Sequence, residues 1–328
     1  MADLSTTYMG LKLPTPLVLA SSSLSNRVEN FQAAEASGAG AVVLRSLFEE
    51  QIEAANTELE EQVAKMSEAH LEARTYLPPQ RVGPQEYLRL VERAKKSVRI
   101  PIIASLNCAA PGSWSDYARQ IQDAGADALE VNIYAVGADA RVSGDDLERQ
   151  YLEVVESVRN VVKVPIALKV SPFFTSFANM ASRFDRAGVN ALVLFNRFLQ
   201  PDIDLDRMAL QSSMQLSHPS EMLLSLRWIA ILHGRVKADL AASTGVHDAP
   251  GVVKQLLAGA QVVQLAATLV KNGISHLASL RGGLEEWMER GRYSRVEDFR
   301  GTLSQKQAKD PRAFERAQYV HLILSQNG

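Results

Sequence analysis

The chain has 328 residues, 46% of them hydrophobic and 22% charged, and a net charge of −2. That is an ordinary globular composition able to bury a large core, without the basic excess of a nucleic-acid-binding surface. The single cysteine, Cys108, excludes an intrachain disulfide and any cysteine-built metal or iron–sulfur cage within the chain, which fits a reducing cytoplasm.

The opening MADLSTTYMGLKLPTPLVLA lacks the basic stretch and long apolar run of a signal peptide. No apolar run reaches the roughly 20 residues of a spanning helix, so a cytoplasmic protein without membrane contact is expected. PLVLASS (16–22) reads as the first apolar strand, followed by a helix over 27–37 and a second strand in SGAGAVVL (37–44). Residues 47–83 are too long for a simple connection. EEQIEAANTELEEQVAKM reads there as an exposed helix and TYLPPQRVGPQEY as a lid-like loop. Helix 84–98 leads into SVRIPIIASLN (97–107), helix 113–124 into AGADALEV (124–131), and helix 144–161 into NVVKVPIALKV (160–170). Helix 176–187 precedes AGVNALVL (187–194), helix 218–233 precedes GRVKADLAAS (234–243), and helix 249–258 precedes AGAQVVQL (258–265). A last barrel helix covers 272–291. From 294 onward a helical appendage, ending in DPRAFERAQYVHLIL, is expected to serve packing or a dimer contact.

Four of these strands repeat one device: a small residue and a glycine close a helix, and an apolar strand starts at once. The glycine suits a left-handed helix cap and the short link an αβ connection. Two others enter through a proline, which a strand's first residue tolerates. Eight apolar strands alternating with helices predict a parallel sheet covered by helices, closed as a (β/α)8 TIM barrel in one domain spanning 1–328. The rival, an open doubly wound sheet, lacks a G-x-G-x-x-G after its first strand.

In such barrels the chemistry gathers where the strands end. Those ends carry Ser21 and Ser22, Arg45 and Ser46, Asn107, Asn132, Lys169, Asn196 and Arg197, then Ser243 and Thr244. Each strand is apolar until that point, so Asn132 reads as one member of a ring around a polar ligand rather than a lone core amide. Lys169, directly after PIAL, needs an anionic partner, because an unpaired buried ammonium is costly. Glu130 is taken to point to the other face, which leaves a ligand anion as the partner. Small residues after strands seven and eight suit backbone N–H groups that approach a phosphate. His218 reads as a helix-start residue after an N-cap Ser217, His247 as solvent-exposed, and Cys108 as a small hydrophobe at the rim. His70, His233, His276 and His321 have no partners at metal-ligand spacing, so no metal is predicted.

LASSS, VLRSLFE, IASLN, EVNIY, ALKVSPFF, LVLFNRF, AASTGV and LLAGAQVVQLAATL occur in an order that resembles the dihydroorotate dehydrogenase family, in particular its soluble class 1-like members. The resemblance covers residues 5–300. It implies a barrel with FMN at its mouth, hydride transfer between a CH–CH substrate such as dihydroorotate and flavin N5, and a place in pyrimidine biosynthesis. On it, the backbone of Ala20, Ser21 and Ser22 lies along the flavin, Arg45 and Ser46 replace the usual Lys-Ser after strand two, and Asn107 joins the cofactor shell. Asn132 contacts flavin or substrate, Asn196 the substrate, and Lys169 the N1/O2 edge. Ser243, Thr244, Gly245, Ala266 and Ala267 surround the phosphate, the two alanines in place of a usual Gly-Thr. A homodimer is implied, and room is left for a separate electron-transfer partner.

The departures matter as much. ARTYLPPQRVG replaces the family's Asn- and Gly-rich substrate loop, and the catalytic Cys or Ser of the family falls on Ala135, which cannot accept a proton. Tyr134 or the replaced loop then has to supply the base. Three other readings stay open: FMN with a different small substrate, a non-catalytic flavin subunit of a partner complex, and, last, a phosphosugar barrel using Lys169 as a Schiff base.

Overall fold

The computed structural model describes residues 2–52, 83–108, 114–197, 200–211 and 215–325. Eight parallel strands close on themselves: β1 (Leu17–Leu19), β2 (Ala41–Val43), β3 (Ile102–Cys108), β4 (Ala128–Ile133), β5 (Ile166–Val170), β6 (Ala191–Leu194), β7 (Asp239–Ser243) and β8 (Val262–Leu265). Each pairs with its neighbour in chain order, and β8 pairs with β1 through Val263↔Leu17 to Leu265↔Leu19. Between and after them lie α1 (Val28–Ala36), α2 (Pro84–Ser97), α3 (Trp114–Asp123), α4 (Gly144–Val161), α5 (Phe177–Arg186), α6 (Met222–Leu232), α7 (Ala249–Ala258) and α8 (His276–Gly291). This is the (β/α)8 barrel expected.

The repeated device works as the sequence suggests. Gly38, Gly125, Gly188 and Gly259 all have positive φ, from 89° to 121°, where side chains with a Cβ are strained, so each helix can stop and turn at once into its strand. Pro101 and Pro165 precede β3 and β5 and lend their carbonyls to Val42 N–H at 3.1 Å and Leu129 N–H at 2.9 Å. Alternation along the strands then sorts two cores. Leu17, Leu19, Val42, Leu129, Val131, Leu168 and Leu192 face the helices, while Val18, Ala41, Val43, Ile103, Ala128, Ala167, Val193 and Ala241 fill the barrel.

A hairpin not foreseen in the sequence closes the barrel floor. Thr6–Tyr8 pairs with Leu11–Leu13 around Met9-Gly10, at φ 55° and 79°, and inserts Tyr8, Met9 and Leu13 into the interior cluster. Met9 N–H donates to Asp239 Oδ2 at 2.6 Å, which fixes the plug to β7. A second unforeseen hairpin, Asp202–Asp204 with Ala209–Gln211, follows β6. Of the insertion, only Leu47–Ile52 and Gly83 are described, with a helix beginning at Glu49. The rest of the exposed helix and lid-like loop expected there lies outside the described residues. Beyond α8 the chain packs back on the barrel wall through Gly301 N–H to Leu256 O, Leu303 N–H to Leu257 O and Gln305 N–H to Ala230 O, at 3.0, 2.9 and 2.9 Å. The expected last helix is present as Arg316–Ser325, after a 3-10 turn at Pro311–Phe314.

Candidate functional site

The strand ends named from the sequence lie around one mouth. Register puts three of them level on neighbouring strands: Asn107 opposite Asn132, and Asn132 opposite Lys169. Asn196 Nδ2 donates to Asn132 Oδ1 at 2.8 Å, so the two amides hold each other across two strands. On the β1–β2 side, Ser46 N–H donates to Ser21 Oγ at 3.0 Å, and Ser46 Oγ lies 2.8 Å from Ser105 Oγ. This chain of hydroxyls continues to helix α2, because the buried Tyr87 hydroxyl accepts from Ser105 N–H at 2.8 Å and donates to Ser105 O. Burial raises the Tyr87 hydroxyl above the usual phenol range, the Ser105 bond counters this, and the Glu130 charge adds to the rise. Ala20 N–H is bonded to Leu265 O at 3.0 Å and Ser22 N–H to Ser25 Oγ at 2.9 Å.

Arg45 is exposed on the rim, in a cleft with Asn26, Ser46, Gln51, Glu86 and Arg93. Asn26 Oδ1 is buried in that cleft without a hydrogen-bond partner. Arg197 turns away from the mouth centre to pair with Glu221 Oε2 at 2.9 Å.

Two expectations about Lys169 need correction. Glu130 does not point to the other face: residues two apart on a strand share a face, and Glu130 stands one pleat below Asn132 inside the barrel. Its carboxylate is also the anionic partner that was assigned to a ligand. Lys169 Nζ lies 3.5 Å from Glu130 Oε1 and 3.5 Å from Gln264 Oε1, while Gln264 Nε2 donates to Glu130 Oε2 at 2.6 Å. Glu130 is 1% exposed and Lys169 8%.

After β7, Ser243 is buried. Thr244 and Gly245 follow at φ 75° and 76°, and Thr244 Oγ1 donates to Phe195 O at 3.2 Å. A Cβ on Gly245 would come within 2.3 Å of Met222 N, so the turn can press against the start of α6 only as glycine. After β8, Ala266 opens the short helix Ala267–Asn272 with no side-chain cap.

Two smaller readings also change. The residue capping the turn before α6 is His218 itself, whose ring accepts from Ser220 N–H, rather than Ser217. Ser217 is buried and accepts from Gly245 N–H at 3.3 Å. His247 is half-buried rather than exposed, with Nε2 3.5 Å from Ser217 Oγ. Cys108 ends β3, and its side chain lies outside the described residues.

Tyr134 and Ala135 leave β4 just past Ile133 and line a cavity of about 520 Å³ with Val136, Tyr151, Ser171 and Phe173. The Tyr151 hydroxyl meets the Ala135 backbone and the Ser171 side chain. Burial nevertheless raises it above the ordinary phenol range, so it is no base at neutral pH. Sequence reasoning missed Ser105, Tyr87, Glu130 and Gln264. For Glu130 the alternation of the strand was a sufficient signal.

The family model described as dihydroorotate dehydrogenase matches residues 3–288, most of the chain and all eight strands. The chain belongs to the dihydroorotate dehydrogenase family. Among curated family members, the "Dihydroorotate dehydrogenase B (NAD(+)), catalytic subunit" of Thermoplasma acidophilum is 25% identical over 308 residues, covering 92% of this chain and 99% of that protein. The protein of the same name from Methanothermobacter thermautotrophicus is 25% identical over 305 residues, covering 91% and 97%. A "Putative dihydroorotate dehydrogenase A (fumarate)" of Aeropyrum pernix is 27% identical over 229 residues, covering 66% and 70%. No helix among the described residues is long and apolar enough to cross a membrane.

Proposed function

We propose that the chain is an FMN-dependent oxidoreductase acting on a CH–CH bond of a small substrate, dihydroorotate or a close analogue, as a step of pyrimidine biosynthesis. The observation that carries this reading is the level row Asn107, Asn132 and Lys169 on three adjacent strands at a polar barrel mouth. The residues present fit a flavin. A buried ammonium makes only long contacts at 3.5 Å, Asn26 Oδ1 is an orphaned acceptor, and the short helix after β8 opens at Ala266 with no side-chain cap.

Ala20, Ser21, Ser22, Ser46 and Asn107 would line the ring system, and Ser243, Thr244, Gly245, Ala266 and Ala267 the phosphate. When bound, FMN would supply the acceptor for a hydride. Lys169 would hold a positive charge beside that acceptor, and the Asn132–Asn196 pair would orient the substrate. Arg45 would offer a cation at the rim with a fork unlike the lysine usual there. Tyr134 would be the remaining protic group next to Ala135. The chain would be a single barrel domain, with 47–83 as an insertion and 294–328 as its appendage.

A separate electron-transfer subunit belongs to the proposal, since two relatives are named as catalytic subunits. So does a homodimer in the cytoplasm. A second reading, FMN with another small substrate or a flavin subunit with little activity of its own, is favoured by one residue: on the family resemblance, Ala135 falls at the position of the base.

Purified protein should be yellow and carry stoichiometric FMN, measured by absorption after denaturation. A colourless protein that takes up no added FMN would remove the reading.

A further inference from the structure

We propose that Glu130 is a positioning residue that, through Lys169, sets the net charge presented at the barrel mouth. The inference deepens the flavin reading and rests on it. Glu130 reaches Lys169 at 3.5 Å and makes no other ion pair among the described residues. Gln264 fixes the carboxylate by donating to Oε2 at 2.6 Å, which leaves Oε1 turned to the ammonium with no hydrogen bond of its own.

The depth of the three groups decides what the arrangement does. Lys169 is level with Asn132, and Glu130 is two residues further down the same strand as Asn132. The carboxylate therefore stands below the mouth and the lysine Cα at it. A pair locked purely for stability would close to hydrogen-bond distance and satisfy every lone pair. Here both contacts of Lys169 are long, so its N–H groups remain available to a ligand above. The negative charge beneath also draws the ammonium down and away from the ligand, so the positive field that the ligand meets is weaker than that of an unheld lysine. The Glu130 charge is also felt in the interior: after burial, it is the next cause raising the Tyr8 hydroxyl well above the usual phenol range.

The test is the midpoint potential of bound FMN in the whole protein, with FMN content measured first for each variant. Glu130→Gln keeps the size of the side chain and removes its charge. It should favour reduced over oxidised flavin by about tenfold, a rise of about 30 mV for two electrons. Glu130→Asp keeps the charge but draws it back, and should give a smaller rise, which also serves if the glutamine variant does not fold. In a Lys169→Met background the Glu130→Gln step should shift the potential far less, because the effect passes through the ammonium. Potentials unchanged in flavin-loaded Glu130 variants would overturn the proposal alone. An equal shift with and without Lys169 would overturn it as well, by showing that Glu130 acts directly. A native protein that binds no FMN would overturn the reading of the site and this proposal with it.

Discussion

The two ends of the barrel use their carboxylate and amide side chains differently. At the floor, where the strands begin, side chains of the αβ turns accept backbone N–H groups of neighbouring strands at short distance. Asp127 Oδ2 takes Ile102 N–H at 2.7 Å, Asn190 Oδ1 takes Ile166 N–H at 2.9 Å, Asp185 Oδ1 takes Ala238 N–H at 2.7 Å, and Gln261 Oε1 takes Leu240 N–H at 2.8 Å. Asp239 adds Met9 N–H and Gln261 Nε2 at 2.6 and 2.8 Å. At the mouth the corresponding groups are looser. Lys169 has two contacts at 3.5 Å, and Glu130 Oε1 and Asn26 Oδ1 have no hydrogen bond. A buried polar group left short of partners is costly. The floor hairpin carries two such groups, the Thr6 and Tyr8 hydroxyls, so the difference lies in the charged and amide side chains: those of the floor's αβ links hold strand N–H groups, while Lys169, Glu130 and Asn26 at the mouth are left short. This is the division of labour expected of a barrel whose chemistry sits at the strand C-termini.

The largest effect that would break the comparison comes from Lys169→Ala. Removing a charge that stabilises the transition state typically costs about a hundredfold or more in rate, roughly 3 kcal/mol. Rapid-reaction measurement of flavin reduction should show that loss. The ion pair adds a second expectation: the abandoned Glu130 carboxylate should also lower the melting temperature, and adding Glu130→Gln should recover stability without recovering the rate. Recovery of both would make Lys169 a structural residue.

Asp185→Ala at the floor should do the reverse. It strands the part-buried N–H of Ala238, which at about 1–3 kcal/mol for an unsatisfied buried group should appear in the urea midpoint while FMN affinity stays put, whereas the exposed Lys237 N–H turns to water. Weakened FMN binding at native stability would blur the two ends.

The smallest effect is a pH dependence at the appendage. The half-buried His233 ring sits where a Cβ on Gly259 or Gly301 would come within 2.4 or 2.2 Å of it. Burial, with Arg300 and Lys306 nearby, lowers its pKa below the ordinary 6.5. The unfolded chain therefore takes up the proton more readily. The stability of the neutral form is complete above pH 6.5 and is lost as pH falls below it towards the folded value. Urea midpoints of the native protein and His233→Gln should differ in slope over that window, and parallel slopes would remove His233 as the cause.

Much of this was legible in the chain because one unit repeats. Gly38, Gly125, Gly188 and Gly259 announce the strands, and the helix windows agree with the observed ends to within four residues. The floor hairpin was hidden because its turn is Met9-Gly10, where Asn or Asp before the glycine would have marked it. Gln264 lies far from β4 in sequence and meets Glu130 only through barrel closure, and Tyr87 reaches Ser105 only through the packing of α2 on β3, neither of which a local pattern reports. Glu130 is different, because the two-residue period of β4 alone puts it on the face of Asn132.

The central claim is that the mouth binds FMN for chemistry of this family while Ala135 leaves the usual base missing. Anaerobic stopped-flow reduction of the bound flavin by dihydroorotate tests it most directly. A missing general base typically costs about 10²–10⁴-fold, so reduction should be slow or undetectable with FMN fully loaded. Reduction at many turnovers per second would contradict the account, and would make Tyr134 the first residue to replace.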